Sequence, residues 1–194
     1  FLSFITQSLS EKFTCDPDKL QDNICETKDQ GITLEFEEDK KPVNINDLSF
    51  LNSAITTLPL DISKNFPALK NLTASGLNLI ETTEESLEKL DALVELDLSE
   101  NSIKKIASNS FKDLKALVRL DLHANEIVTI GEGMLDSLVN IKEIDLSNNN
   151  LCNEIDVVCP LATTFRKNTQ LEVINLDENY IKNLAITIFR GLHG

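Results

Sequence analysis

The chain has 194 residues, of which 41% are hydrophobic, and its 32 acidic and 18 basic side chains give it a formal net charge of −14. This length and apolar content suffice for one domain with a substantial core. The negative charge argues against nucleic acid and anionic membrane as partners, because both are bound through cationic surfaces. No apolar run approaches the roughly 18 residues of a membrane-spanning helix, so we expect no membrane insertion of this segment.

Residues 1–44 predict a cap at one end of the domain. The chain begins at Phe1 without methionine, so we expect that a signal peptide has been removed or was never part of this sequence. Apolar residues from Phe1 to Phe13 are spaced for one side of a short helix that packs on the first repeat. A membrane or partner anchor is the alternative, although the segment has no basic flank to strengthen it. Ile32–Phe36 alternates apolar and polar side chains, which predicts a half-buried strand.

Four cysteines form two local pairs, Cys15 with Cys25 and Cys152 with Cys159. An even number in local pairs predicts two disulfides and an oxidising, extracellular compartment. Zinc is the alternative, but neither pair has the spacing of about two to four residues that structural zinc sites use. The two histidines also lie far from both pairs. We therefore expect disulfides and no metal site.

From residue 45 onward, one motif returns almost every 24 residues. A fixed period of this size predicts a stack of equal units whose cores exist only between neighbours. Within each unit, residues one, four and six are apolar, so a short strand places residues four and six inward and residue five outward. The fifth unit has an insertion at residues 152–170, predicted to lie away from the strands. The units begin at Ile45, Leu69, Leu93, Leu117, Ile141 and Leu171.

Asparagine occupies residue nine of the last four units, at Asn101, Asn125, Asn149 and Asn179. The turn after each strand leaves inward-facing backbone groups, and an amide supplies both the donor and the acceptor that they need. These side chains are therefore predicted to form a ladder through the stack. Ser53 and Leu77 replace asparagine in the first two units, where we expect a looser turn but an unbroken sheet.

The repeated leucines, strand and asparagine resemble the extracellular leucine-rich repeat family, in its subclass of 24-residue units. This resemblance implies an α/β repeat solenoid, with a horseshoe shape, a parallel concave sheet and an N-terminal disulfide cap. Its domains would be the cap at 1–44 and about six repeats at 45–194. The stretch Leu58–Leu69 also looks like first repeats of secreted arthropod members, including mosquito immune and salivary proteins and Toll-type ectodomains.

The resemblance further implies binding by the concave face, with no cofactor and no reaction. The expected function is a secreted recognition module for a protein partner, in arthropod immunity or salivary host interaction. The alternative is an ectodomain fragment of a membrane-anchored Toll-like or other leucine-rich repeat receptor. Catalysis is not expected, because no phosphate-binding glycine loop and no nucleophile–base pair are present. The chain ends at Gly194 without a second cysteine cap, so we expect a truncated chain that could form oligomers through its open end.

Residues two, three, five, seven and eight of each repeat are predicted to face solvent from the concave sheet. The surface is mostly acidic, which favours a protein ligand with a basic patch. The alternative is an ordinary solvated face, since a short polar residue at position five also suits the strand. The predicted binding face consists of Glu95, Asp97, Arg119, Asp121, His123, Glu143, Asp145, Glu172 and Asn175.

One N-glycosylation sequon, Asn71-Leu72-Thr73, occurs in the chain. It falls at position three of the second repeat, so a glycan there would stand on the concave sheet. An occupied site would direct a ligand to the C-terminal repeats or to another face.

Overall fold

A computed structural model of the chain describes residues 45–50, 55–60, 62–153, 161 and 164–182, together with the backbone of three earlier strands. The elements in chain order are β1 (Glu11–Phe13), β2 (Ile24–Thr27), β3 (Ile32–Leu34), β4 (Asp47–Phe50), α1 (Ile62–Asn65), β5 (Asn71–Thr73), β6 (Glu81–Thr82), β7 (Glu95–Asp97), β8 (Lys105–Ile106), β9 (Arg119–Asp121), β10 (Glu143–Asp145) and β11 (Val173–Asn175).

Seven of these strands form one parallel sheet, in the order β2-β4-β5-β7-β9-β10-β11. The register follows the repeat, since Leu72 pairs with Leu96, which in turn pairs with Leu120. Ile144 pairs with Ile174, so the longer fifth repeat returns to the same register. The described residues of the insertion, 152–153, 161 and 164–170, contain no strand. The predicted solenoid with a parallel sheet is confirmed.

The strands before residue 45 differ in part from the prediction. β2 joins the large sheet through β4, whereas β3 pairs in parallel with β1 in a separate two-stranded sheet. Phe13 thus ends a strand and is not helical, because residues 11–13 pair with β3 in a ladder that apolar spacing alone does not predict. Cys25 lies within β2, a strand that the sequence did not predict. The rest of the predicted N-terminal helix, residues 1–10, lies outside the described residues.

The core fills the space between the sheet and the returning side of each coil. Inward strand residues such as Leu96 and Leu120 are buried, and so are Phe111 and Leu114 on the returning side. Burying one such side chain contributes about 1.5–3 kcal/mol relative to leaving it exposed. Turns form most of the returning side, where β6 and β8 make a second, two-stranded sheet. Within the described residues, α1 is the one helix, and its four residues are too few to cross a membrane.

Asparagine side chains connect each turn to the repeat before it. Asn125 Oδ1 accepts a hydrogen bond from the Ile103 backbone N–H at 3.0 Å, and Asn125 Nδ2 donates to the Leu98 carbonyl at 2.9 Å. Asn101, Asn149 and Asn179 make the equivalent contacts.

The ladder stops at Leu77, whose buried side chain has no amide. The Leu77 backbone N–H instead donates to Asn101 Oδ1 at 2.9 Å. The sheet continues across this repeat, since β4 and β5 pair over three residues. Ser53, the other predicted interruption, lies outside the described residues.

Candidate functional site

The outward residues of the large sheet form two columns that run along the stack. Strand residues alternate in burial, so that Leu96 in β7 is buried while Glu95 and Asp97 on either side of it are accessible. The same pattern holds in β5, β9 and β10. Column three contains Asp47, Asn71, Glu95, Arg119, Glu143 and Val173, and column five contains Ser49, Thr73, Asp97, Asp121, Asp145 and Asn175.

The aspartates of column five accept hydrogen bonds from the turns that follow the strands. Asp97 Oδ1 accepts hydrogen bonds from the Ser99 backbone N–H at 3.0 Å and from Ser99 Oγ at 2.6 Å. Asp145 Oδ1 accepts the same two bonds from Ser147, at 2.8 and 2.6 Å. A carboxylate that already accepts hydrogen bonds from its own turn is less available to a ligand. Column five therefore serves the fold first, which favours the solvated-face alternative for these residues.

His123 occupies the place that serine holds in the neighbouring turns. Its Nδ1 lies 2.8 Å from Asp121 Oδ1, and its Nε2 lies 4.0 Å from Glu100 Oε1 in the preceding repeat. The hydrogen bond to Asp121 raises the pKa of His123 above its ordinary value, and the charges of Asp145 and Glu100 add to this effect against the cost of burial. The imidazole is thus a proton-sensitive group between two carboxylates.

Asp145 and Glu172 are engaged with neighbouring polar side chains. Burial would raise the pKa of Asp145, but hydrogen bonds from Ser147 and Asn175 outweigh it and hold that pKa below its ordinary value. Asn175 Nδ2 donates to Asp145 Oδ2 at 3.0 Å. Lys142 Nζ donates to Glu172 Oε1 at 2.7 Å. Both predicted binding residues therefore have partners within the protein.

Column three combines neighbouring side chains into pairs. Asn71 Nδ2 donates to the Asp47 carboxylate, and Arg119 forms an ion pair with Glu95. The Glu143 side chain has no hydrogen-bond or ion-pair partner among the described residues, and its neighbour in the column is the exposed Val173. The central cation predicted to contact a ligand is therefore already neutralised, whereas Glu143 is not.

Residue eight of the second to sixth repeats has a positive φ, which bends the chain away from the sheet. Gly76 has a φ of 68°, Glu100 of 54° and Ala124 of 51°. Asn148 and Glu178 follow at 52° and 53°. Only glycine adopts this left-handed conformation without steric cost, so the other four side chains are held there by the repeat.

The predicted modification sites are described in part. Asn71 is half-buried on the concave side, and Thr73 of the sequon lies on the same face two residues later. Cys152 is disulfide-bonded. Cys15, Cys159 and the side chain of Cys25 lie outside the described residues, so the pairing stays a prediction.

Polar residues buried on the returning side were not predicted. Thr82, Ser86, Ser110, Thr164 and Asn168 are all buried. Asn168 takes the place of the leucine that closes other coils, such as Leu114 and Leu138. Its Nδ2 donates to the Leu135 carbonyl at 2.8 Å, while its buried Oδ1 has no partner in the described structure. The sequence offered one signal for these buried positions, since Ser86 and Ser110 are separated by one repeat period.

Comparison with known families and proteins supports the leucine-rich repeat resemblance. A family model described as "Leucine rich repeat" matches residues 91–151. No curated protein sequence matches the chain.

Solved structures of the same architecture align with most of the chain. The crystal structure of the mosquito APL1 leucine-rich repeat domain aligns with a TM-score of 0.75 at 20% identity, over 93% of this chain and 46% of that one. A TLR13–ssRNA13 complex aligns at 0.67 and 24% identity, over 83% and 23%. The Drosophila Toll–Spatzle complex aligns at 0.64 and 20% identity, over 78% and 22%. The chain thus spans less than half the length of each of these structures.

These findings define the fold. The fold is a leucine-rich repeat horseshoe. Domains of this class are typically non-enzymatic modules for protein interaction. Within the part of the chain that the structure describes, no group of three or more His, Cys, Asp or Glu residues is placed to hold a metal ion.

Proposed function

We propose that this chain is a secreted recognition module that binds a protein ligand with a basic patch through its concave face. The observation that carries the proposal is the array of outward side chains on five neighbouring strands of the large sheet and beside their ends, in which carboxylates outnumber cations. The acidic members are Glu95, Asp97, Glu100, Asp121, Glu143, Asp145, Glu172, Asp177 and Glu178, and the basic members are Lys70, Arg119 and Lys142.

Charge favours a protein ligand over a nucleic acid. One structure of similar fold is a complex with single-stranded RNA, so the architecture itself accommodates such a ligand. RNA binding requires a cationic surface, however, and this chain carries a net charge of −14. A basic protein surface is attracted to the same acidic face and would associate faster at low salt.

The extracellular role rests on resemblance and on the cysteines. The Toll–Spatzle complex, whose structure has the same fold, is a molecular hub in Drosophila development and innate immunity. A role in arthropod immunity or salivary host interaction is therefore the function proposed first. An ectodomain fragment of a Toll-like or other membrane-anchored receptor is the second candidate, favoured by the alignment with a receptor of this type.

Glycosylation at Asn71 would restrict the ligand to the later repeats. The Asn71 side chain faces the concave side, and an N-linked glycan there would project over the first two repeat strands. A mass shift on enzymatic deglycosylation of protein from a eukaryotic secretory host, absent in Asn71→Gln, would establish occupancy.

The proposal is tested with two charge-reversal variants, each confined to one face of the protein. The concave variant carries Glu143→Lys and Glu178→Lys, and the returning-side variant carries Glu85→Lys and Asp91→Lys. All four carboxylates are exposed, and none has a hydrogen-bond or ion-pair partner in the described structure, so both variants should fold. Their net charges are equal, so the two variants differ only in where the charge is changed.

Each immobilised variant is compared with the parent for capture of proteins from the extracellular fluid of its source. The concave variant should retain at least about tenfold less of the principal captured protein, because like charges then face each other. The returning-side variant should capture as much as the parent. Loss of capture by the returning-side variant alone would show that the concave face is not the binding surface.

A further inference from the structure

Column three divides into three neighbouring pairs, and two of them are satisfied within the protein. Asn71 donates to Asp47, and Arg119 neutralises Glu95. In the third pair, Glu143 stands directly opposite Val173 in the register of β10 and β11. A carboxylate and an aliphatic side chain have no favourable polar contact with each other, so this pair has no internal complement.

Both members of this pair are accessible from the concave side. Val173 is 52% exposed, whereas the inward strand residues at positions four and six of the first five repeats are buried. Glu143 is exposed and has no hydrogen-bond or ion-pair partner in the described structure. Isolated exposed valines are common on protein surfaces, so it is the adjacent free carboxylate that distinguishes this position.

The charges around Glu143 strengthen its attraction for a cation. Asp145 lies beside it in column five on the same strand, and Asp121 lies in column five on the adjacent strand. The nearest cations are engaged elsewhere, since Arg119 is paired with Glu95 and Lys142 with Glu172. The local surface is therefore negative, with one apolar side chain at its border.

We propose that Glu143 and Val173 form the anchor point of the concave face, and that they receive one basic and one aliphatic side chain of a protein ligand. This inference rests on the proposed function and adds the chemistry of the ligand segment. Neighbouring strands are about 4.8 Å apart, so the two ligand side chains must stand about 5 Å apart. Residues three or four positions apart on a helix meet this spacing, with Lys or Arg at one position and Leu, Ile or Val at the other.

A phage-displayed library of random dodecapeptides, panned on the immobilised chain, tests this complementarity directly. Enriched peptides should combine a Lys or Arg with an aliphatic residue three or four positions away. Glu143→Gln keeps the size of the side chain and removes its charge, and it should weaken an enriched peptide by about three- to tenfold. Val173→Thr keeps the branched shape and should weaken it by about threefold. Panning on Glu143→Lys should select acidic peptides instead.

Glu178→Gln is the control elsewhere on the concave face, and Glu85→Gln is the control on the returning side, since neither side chain has a partner in the described structure. Neither should weaken an enriched peptide as much as Glu143→Gln does. Failure to enrich basic–aliphatic peptides, or equal binding to the parent and to a Glu143→Gln/Val173→Thr variant, would overturn the anchor. If the peptides are instead lost with the concave Glu178→Lys change, the anchor is wrong but the concave face remains the binding surface. Loss with Glu85→Gln would contradict the proposed function itself.

Discussion

Replacing Asn125 with alanine should lower the free energy of unfolding by about 2–4 kcal/mol. The amide satisfies two backbone groups of the preceding repeat, the Ile103 N–H and the Leu98 carbonyl, and it also donates to the Leu122 carbonyl in its own turn. Asn125 is buried, so alanine would leave these groups without this partner and with little access to water. Each buried group left unpaired costs about 1–3 kcal/mol. For a domain of this size, the melting temperature should fall by about 5–15 °C.

Asn150→Ala is the matched control, because Asn150 is part-exposed and its side chain makes no hydrogen bond in the described structure. It should change the free energy of unfolding by less than about 0.5 kcal/mol. Calorimetry and urea titration of both variants give the comparison. Because Asn125 connects two repeats, its loss should also broaden the unfolding transition, as expected when the coupling between neighbouring units weakens. Equal destabilisation by the two changes would refute the role of the asparagine ladder.

Three further changes test other features. His123→Ser should lower the free energy of unfolding by a few tenths of a kcal/mol at pH 5.5 and by less at pH 8.5, measured by urea titration at both pH values. The pKa of His123 is raised on folding, so its protonation stabilises the fold fully below the ordinary value near 6.5, and this contribution is lost as pH rises through the folded-state pKa. The effect is small because the side chain is partly exposed. Ala124→Gly, at a φ of 51°, should raise the melting temperature by relieving about 0.5–1 kcal/mol of strain, whereas Ala92→Gly should lower it. Asn168→Leu should raise the free energy of unfolding by about 1 kcal/mol, because it removes an unpaired buried oxygen. The carbonyls of Leu135 and Leu138 would still accept hydrogen bonds from backbone N–H groups. Asn168→Ala should instead destabilise the fold, and the opposite order would contradict the cost assigned to that oxygen.

Periodicity was enough to predict the solenoid, its parallel sheet of repeat strands and the alternation of inward and outward side chains on those strands. Leu93, Leu117 and Ile141 mark units whose strands do pair in the register that the spacing implies. The reason is physical: a unit of this length cannot bury its leucines alone, so its neighbours must stack in one register. The N-terminal strands lie outside the repeat, and their partition between two sheets was therefore not predictable from it.

The binding face was predictable only as a set of positions. The sequence does not distinguish Asp97 from Glu143, since both are acidic residues predicted to face outward. The structure separates them, because Asp97 caps the turn at Ser99 while Glu143 has no partner among the described residues. This difference depends on which cation pairs with which carboxylate. Arg119 lies between Glu95 and Glu143 in its column, and the sequence does not show that it pairs with Glu95.

The concave face therefore has two kinds of carboxylate, and they should respond differently to substitution. Removing the charge of Asp145 takes away an acceptor of two hydrogen bonds from Ser147, so Asp145→Ala should lower stability first and binding as a consequence. Removing the charge of Glu143 breaks no internal contact in the described structure, so Glu143→Gln should weaken binding at unchanged stability. The lowered pKa of Asp145 supports the distinction: its contribution to stability is present above the ordinary value of about 3.8 and is lost as pH falls through the lower, folded-state pKa. An acidic residue that acts in recognition should therefore weaken binding on substitution while the melting temperature stays unchanged.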